Sequence, residues 1–104
     1  MKLTGLIAAP HSPFRADHSL KLECVPQQAA HLAACGVNGA FVAGTTGECH
    51  SLTTAERAQL FVAWGEAARE HGVQFIAHIG HNNLPDARAL AVAAQEAGAD
   101  AISA

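Results

Sequence analysis

Two threonines stand between two glycines in the stretch Gly44-Thr45-Thr46-Gly47-Glu48, which follows an apolar run and precedes a helix start. Glycines let a backbone approach a ligand closely, and a turn with unpaired amides forms a cradle for an anion. The hydroxyl groups of Thr45 and Thr46 add two donors. Lysine and arginine are absent from the neighbouring residues, so the turn suits a single carboxylate better than a di- or triphosphate. The alternative is a tight turn whose threonines cap the next helix.

Histidines and small polar residues lie near this turn in the predicted order of elements. His50 and Ser51 follow the turn, and His78 ends a later apolar run, so His50 and His78 are candidate pocket-lining residues together with the two glycines of the turn. His11 and Ser12 follow the first apolar run and could face the same pocket. The His78-x-x-His81 spacing lies on a strand-to-loop passage rather than on a helix, and no cysteine or carboxylate completes a ligand set, so we predict no metal site.

Composition narrows the class of protein. The chain has 104 residues, of which 50% are hydrophobic and 14% charged, and a formal net charge of -3. These values are typical of a globular domain and do not indicate a nucleic-acid partner. No apolar run approaches the ~20 residues of a membrane span. The three cysteines, Cys24, Cys35 and Cys49, have neither disulfide nor metal spacing, which indicates free, semi-buried thiols in a reducing compartment. We expect a cytoplasmic protein with no membrane partner.

Hydrophobic periodicity predicts the order β-α-β-α-β-α-β with a repeat of about 30–35 residues. Apolar runs without polar alternation indicate doubly covered strands, and residues at 3–4 spacing indicate helices between them. Thr53 and Glu56 have the spacing of a capping box, and Asn83 with Pro85 indicates the start of another helix. The predicted strands are Leu6–Ala9, Gly39–Ala43, Gln74–Ile79 and Ala99–Ala104. The predicted buried stripes of the helices run from Leu22 to Ala33, from Leu60 to His71 and from Leu84 to Ala97.

Strict alternation of this kind indicates a parallel sheet with right-handed crossovers. An open nucleotide-binding sheet would carry a glycine-rich turn after its first strand, whereas this chain has "APHSPF" there. We therefore predict an α/β fold that is the N-terminal half of a (β/α)8 TIM barrel. Residues 1–104 would form one partial barrel domain of about three and a half βα units, truncated in the fourth strand.

Several segments resemble one enzyme family in order and spacing. They are "GLIAAPHSPF", "GVNGAFVAGTTGE", "SLTTAER", "FIAHIGHN" and "AGADAIS". The chain resembles the N-acetylneuraminate lyase family of pyruvate-dependent class I aldolases, which includes 4-hydroxy-tetrahydrodipicolinate synthase, over its whole length. The "AHIG" segment is most similar to the sialic acid lyases.

The resemblance implies a tetrameric (β/α)8 enzyme that needs no cofactor and cleaves a sialic acid to pyruvate and N-acetylmannosamine. In this family a lysine forms a Schiff base with the keto carbon, a tyrosine assists proton transfer, and the paired hydroxy residues, here Thr45 and Thr46, hold the pyruvate carboxylate. This sequence has no tyrosine, and its only lysines, Lys2 and Lys21, do not match the Schiff-base position.

We therefore expect no catalytic residue within these 104 residues, an inactive isolated chain, and a longer parent with a 2-keto acid or sialic acid substrate. Two alternatives stay open. One is a 4-hydroxy-tetrahydrodipicolinate synthase or another 2-keto acid aldolase of the same family. The other is a non-catalytic half-barrel that self-associates or binds a ligand.

Overall fold

Four strands and three helices alternate along residues 2–104, the part of the chain that the computed structural model describes. The strands are β1 (Ile7–Ala8), β2 (Gly39–Val42), β3 (Gln74–His78) and β4 (Ala101–Ser103), and the helices are α1 (Val25–Ala34), α2 (Thr54–His71) and α3 (Leu84–Glu96). Short 3-10 turns at Leu22–Cys24 and Cys49–Ser51 precede the first two helices. The predicted alternation is confirmed. Within the described residues no helix is long and apolar enough to cross a membrane.

All four strands are parallel and lie in the order β1-β2-β3-β4. Each strand therefore pairs with its neighbour along the chain, with one helix between them. A doubly wound sheet would reverse its winding direction at an inner strand, whereas a barrel adds every strand on the same side. The strand order confirms the prediction of consecutive barrel units.

The helix boundaries follow the predicted capping chemistry. At the start of α2, the Glu56 amide donates to the Thr53 hydroxyl (3.0 Å) and the Thr53 amide donates to the Glu56 carboxylate (2.9 Å), which completes the capping box. Gly72 ends this helix in the left-handed region (φ 70°). Asn83 caps α3 by accepting from the Asp86 amide at 3.0 Å. Local sequence alone sets these ends.

The apolar core lies between the helices and one face of the sheet. Trp64 is buried in α2, as its place on the predicted stripe required. The strand residues on this face alternate with residues on the other face, where Phe41 of β2 pairs in register with Ile76 of β3. The principal core residues are Val25, Ala29, Ala40, Val42, Leu60, Phe61, Trp64, Phe75, Ala77, Leu90 and Ala94.

Some predicted buried positions were wrong. Leu84 is 61% exposed, because it is the first residue of α3 and lies with the exposed Asn83 and Pro85 in a first turn outside the packed layer. Ala33 near the end of α1 is also exposed. Cys35 follows that helix and is exposed rather than semi-buried. Helical spacing identifies the buried stripe but does not show where along the helix the covering layer ends.

Candidate carboxylate-binding site

The glycine turn begins where β2 leaves the sheet. Pairing with β3 ends at Val42, and the next residue, Ala43, adopts a left-handed conformation (φ 60°) that redirects the chain. The turn then closes on itself, since the Glu48 amide donates to the Thr45 carbonyl (3.0 Å) and the Cys49 amide donates to the Gly44 carbonyl (3.1 Å). The predicted turn is thus present at the C-terminal end of a strand, where ligands bind in parallel α/β folds.

Four successive amides in this turn are unused. The backbone N–H groups of residues 44–47 donate to no acceptor within residues 2–104, although the carbonyls of Gly44, Thr45 and Gly47 all accept hydrogen bonds. The side chains of Thr45 and Thr46 are exposed and make no hydrogen bond there. Adjacent free amides and hydroxyls in a turn are donors that suit an anion. That Thr45 and Thr46 bind a carboxylate stays a prediction.

A serine from the preceding loop anchors the turn. Ser12 is 7% exposed, and its Oγ donates to the Gly47 carbonyl at 2.6 Å. The loop that carries Ser12 is itself held by α1, because the Gln28 side-chain amide donates to the His11 carbonyl at 2.8 Å. Sequence reasoning placed His11 and Ser12 on the correct edge of the sheet, and the structure shows that Ser12 acts on the turn through its hydrogen bond.

Gly47 allows the turn to close against the end of β2. A Cβ at this position would lie 2.9 Å from both the Cα and the amide nitrogen of Ala43, closer than side chains approach backbone. Gly44 is different, because a Cβ there would meet only the ring of Phe41. The second glycine of the motif is therefore required by the backbone itself.

His78 lies at the end of β3, with its ring centroid 5.8 Å from that of Phe41. Its Nδ1 is buried and has no hydrogen-bond partner within the described residues. Burial lowers the pKa of His78 below the ordinary value of 6.5, and electrostatic repulsion from Arg57 and His50 lowers it further. The imidazole is therefore neutral at neutral pH, and a neutral ring offers one donor and one acceptor.

A cavity of about 340 Å³ lies beside His78. His50 and His78, both predicted to line a pocket, do line this cavity, whereas Thr45 and Thr46 are in the adjacent turn and outside its lining. The structure thus separates the candidate residues into a donor-rich turn and a histidine-lined cavity. Within residues 2–104 no three His, Cys, Asp or Glu side chains are grouped to hold a metal ion.

Sequence reasoning missed Arg57. This side chain is 2% exposed, and its guanidinium donates to the Gly80 carbonyl from Nη1 (2.7 Å) and to the His78 carbonyl from Nη2 (2.6 Å). Burial lowers the pKa of the Arg57 guanidinium below its ordinary value. A signal was available, because Arg57 precedes Leu60 and Trp64 at three- and seven-residue spacing and so falls on the buried stripe of α2.

The sequence is similar to those of known N-acetylneuraminate lyases. The chain is 39% identical over 103 residues to the N-acetylneuraminate lyase of Danio rerio, covering 98% of this chain and 34% of that protein. The human N-acetylneuraminate lyase is 36% identical over 103 residues, with 98% and 32% covered.

Solved structures give the same result. The N-acetylneuraminate lyase of Proteus mirabilis superposes with a TM-score of 0.91 at 39% identity, covering 98% of this chain and 34% of that one. The dihydrodipicolinate synthase of Aquifex aeolicus gives 0.88 at 28% identity, covering 96% and 33%. The chain therefore spans about a third of the length of these relatives.

The four strands correspond to the N-terminal half of the (β/α)8 barrel of these neighbours, which confirms the predicted fold class. The sequence matches the description "Dihydrodipicolinate synthetase family" over residues 2–104. The chain belongs to the dihydrodipicolinate synthetase family.

Proposed function

We propose that this chain supplies the carboxylate-binding half of an N-acetylneuraminate lyase-type aldolase. The four unused amides of residues 44–47, next to the free hydroxyls of Thr45 and Thr46, are the observation that carries the proposal. Hydrogen bonds to a charged acceptor are stronger than those between neutral groups, so the turn would hold the carboxylate of a 2-keto acid such as pyruvate. Thr45 and Thr46 are the proposed substrate-binding residues, and Gly44 and Gly47 shape the turn.

The histidines would face the rest of the substrate. His78 is neutral and half-buried on the face of the sheet opposite the core, where it can donate or accept one hydrogen bond from an uncharged polar group. His50 lines the same cavity from the segment after the turn. A sugar-derived substrate offers hydroxyl groups of this kind. We therefore assign both histidines to the polar part of the substrate rather than to its carboxylate.

The covalent step would be made elsewhere in the protein. Residues 1–104 contain no tyrosine, and their two lysines, Lys2 and Lys21, both precede β2 and its ligand-binding turn. We assign no catalytic residue within this chain. The active enzyme would be a cytoplasmic homotetramer that completes the barrel with further residues and acts on a small 2-keto acid without a bound cofactor.

The lyase reaction is preferred over the synthase reaction because of the relatives. The curated proteins most similar in sequence include N-acetylneuraminate lyases at 36–39% identity, whereas a structurally similar dihydrodipicolinate synthase is 28% identical. A 4-hydroxy-tetrahydrodipicolinate synthase or another 2-keto acid aldolase remains the second candidate. Cleavage of N-acetylneuraminate, compared with condensation of pyruvate and aspartate semialdehyde by the same preparation, separates the two.

The carboxylate site is tested directly by NMR on the complete gene product. We expect pyruvate to shift the amide resonances of residues 44–47, because these amides would donate to its carboxylate. Pyruvamide has nearly the same shape without the charge and serves as the matched control, with much weaker shifts expected. Equal shifts from both compounds, or pyruvate shifts confined to other residues, would show that the turn is not the carboxylate site.

A further inference from the structure

Strand β3 extends beyond the end of its neighbour β2. The Gln74 amide donates to the Asn38 carbonyl on the β2 side, and the Ile79 amide donates to the Ser103 carbonyl on the β4 side. Peptide groups alternate along a strand, so His78 and Gly80 direct their carbonyls toward β2. There β2 has already ended at Val42.

Regular pairing would have joined the carbonyl of His78 to an amide of the glycine turn. Gln74 pairs with Gly39, and by the same register His78 would pair with Ala43 and accept from the Gly44 amide. That bond does not form, because the left-handed Ala43 turns the chain away. The departure therefore frees the Gly44 amide and leaves the His78 carbonyl without its strand partner.

Arg57 replaces the lost pairing. Its two terminal nitrogens donate to the carbonyls of His78 (2.6 Å) and Gly80 (2.7 Å), the two groups that β2 no longer reaches. Its buried guanidinium has no carboxylate partner within the described residues. A buried carbonyl without a donor is costly, so an alternative donor is needed for the turn to leave the sheet. The planar fork of arginine spans two carbonyls, which the ammonium group of lysine cannot do in the same geometry.

We propose that Arg57 is a positioning residue for the carboxylate-binding turn: by satisfying the carbonyls of His78 and Gly80, it keeps the residues after β2 from pairing with the end of β3, so that the Gly44 amide and the turn of residues 44–47 that it begins stay free for the ligand. This inference rests on the proposed function for the identity of the ligand, but the coupling between Arg57 and the turn does not. Arg57 touches neither the carboxylate nor the reacting atoms in this scheme.

The coupling is tested by hydrogen exchange on the complete gene product without any ligand. Peptides covering residues 43–49 and 78–82 are compared in the wild type, Arg57→Ala and Arg57→Lys. We expect the amide exchange rates of both segments to differ from those of the wild type by roughly tenfold in Arg57→Ala and in Arg57→Lys. This is the size of effect expected when hydrogen bonds from a charged donor are lost. Added guanidinium ion would restore the wild-type rates in Arg57→Ala, whereas methylammonium would not. Arg88→Ala, an exposed arginine on α3, is the matched control and leaves both segments unchanged.

Pyruvate binding by the same variants is the second measurement. We expect Kd for pyruvate to rise about tenfold in Arg57→Lys and to recover in Arg57→Ala with guanidinium, since the free amides are lost and regained together. Changed exchange at residues 78–82 with no change at 43–49 would overturn the proposal, because Arg57 would then be only a local support of β3. If the wild type binds no pyruvate, the proposed function fails while the exchange data still decide the role of Arg57. If Arg57→Ala does not fold, Arg57→Lys decides both measurements.

Discussion

Replacing Gly47 with alanine tests whether the turn must close against the end of β2. The added Cβ would lie 2.9 Å from the Cα and nitrogen of Ala43, and backbone atoms cannot rotate away as a side chain can. Forcing one extra carbon into packed structure costs about 1–3 kcal/mol, so we expect the free energy of unfolding to fall by that amount. The displaced turn would also lengthen the 2.6 Å bond from Ser12 to the Gly47 carbonyl.

We expect the same substitution to weaken pyruvate binding by about tenfold, which is ~1.4 kcal/mol. Urea unfolding gives the stability change and calorimetric titration gives Kd. Gly44→Ala is the matched comparison, because its Cβ would meet only the Phe41 ring, which is half-buried on the face opposite the core and can turn aside. Its stability loss is expected to be below ~1 kcal/mol. Equal losses for the two variants would refute the argument that Gly47 is required by close backbone contact.

Four further outcomes are expected. Thr46→Val would weaken pyruvate binding by about 1.5–3 kcal/mol in titration, whereas Thr46→Ser would bind nearly as wild type, and equal binding by all three would exclude the hydroxyl from the site. Ser12→Ala would leave the Gly47 carbonyl without its donor and lower the unfolding free energy by about 1–3 kcal/mol in urea. Borohydride with pyruvate would trap no adduct on the isolated 104-residue chain, and mass spectrometry locating one on Lys2 or Lys21 would contradict the assignment. Because the pKa of His78 is lowered in the folded chain, the unfolded chain binds the proton at a higher pH, and the free energy of unfolding would decrease as the pH falls below about 6.5. In His78→Gln, the thermal unfolding temperature would decrease less over the same pH range.

Local sequence predicted most of the fold because the elements are locally determined. The capping box of Thr53 and Glu56 and the left-handed Gly72 need only their neighbours in the chain, and both were found where expected. The place of the Gly44–Gly47 turn followed equally directly, because the turn comes after an apolar run without polar alternation that forms β2. The alternation of strand and helix then restricted the sheet to very few topologies.

The contacts that support the turn could not be predicted in the same way. Ser12 and Gly47 are far apart along the chain, and their hydrogen bond depends on how two loops meet after the sheet has formed. Arg57 has the spacing of a core residue but the chemistry of a surface one, and charged residues are rarely buried without a partner. Its partners are backbone carbonyls, whose availability depends on where β2 ends relative to β3. The pattern of side chains along the sequence does not indicate where β2 ends relative to β3.

The two faces of the sheet have different roles, and this affects which amino-acid substitutions the protein can tolerate. Trp64, Phe75 and Leu90 contribute to stability on the helix side, whereas Phe41 and His78 lie on the other side, next to the proposed ligand-binding edge. Under the proposed function, substitutions that alter which substrate is accepted would therefore accumulate on one face while the packing on the other stays intact. A saturation-mutagenesis library scored separately for abundance and for substrate choice would show two sets of positions that alternate along β2 and β3.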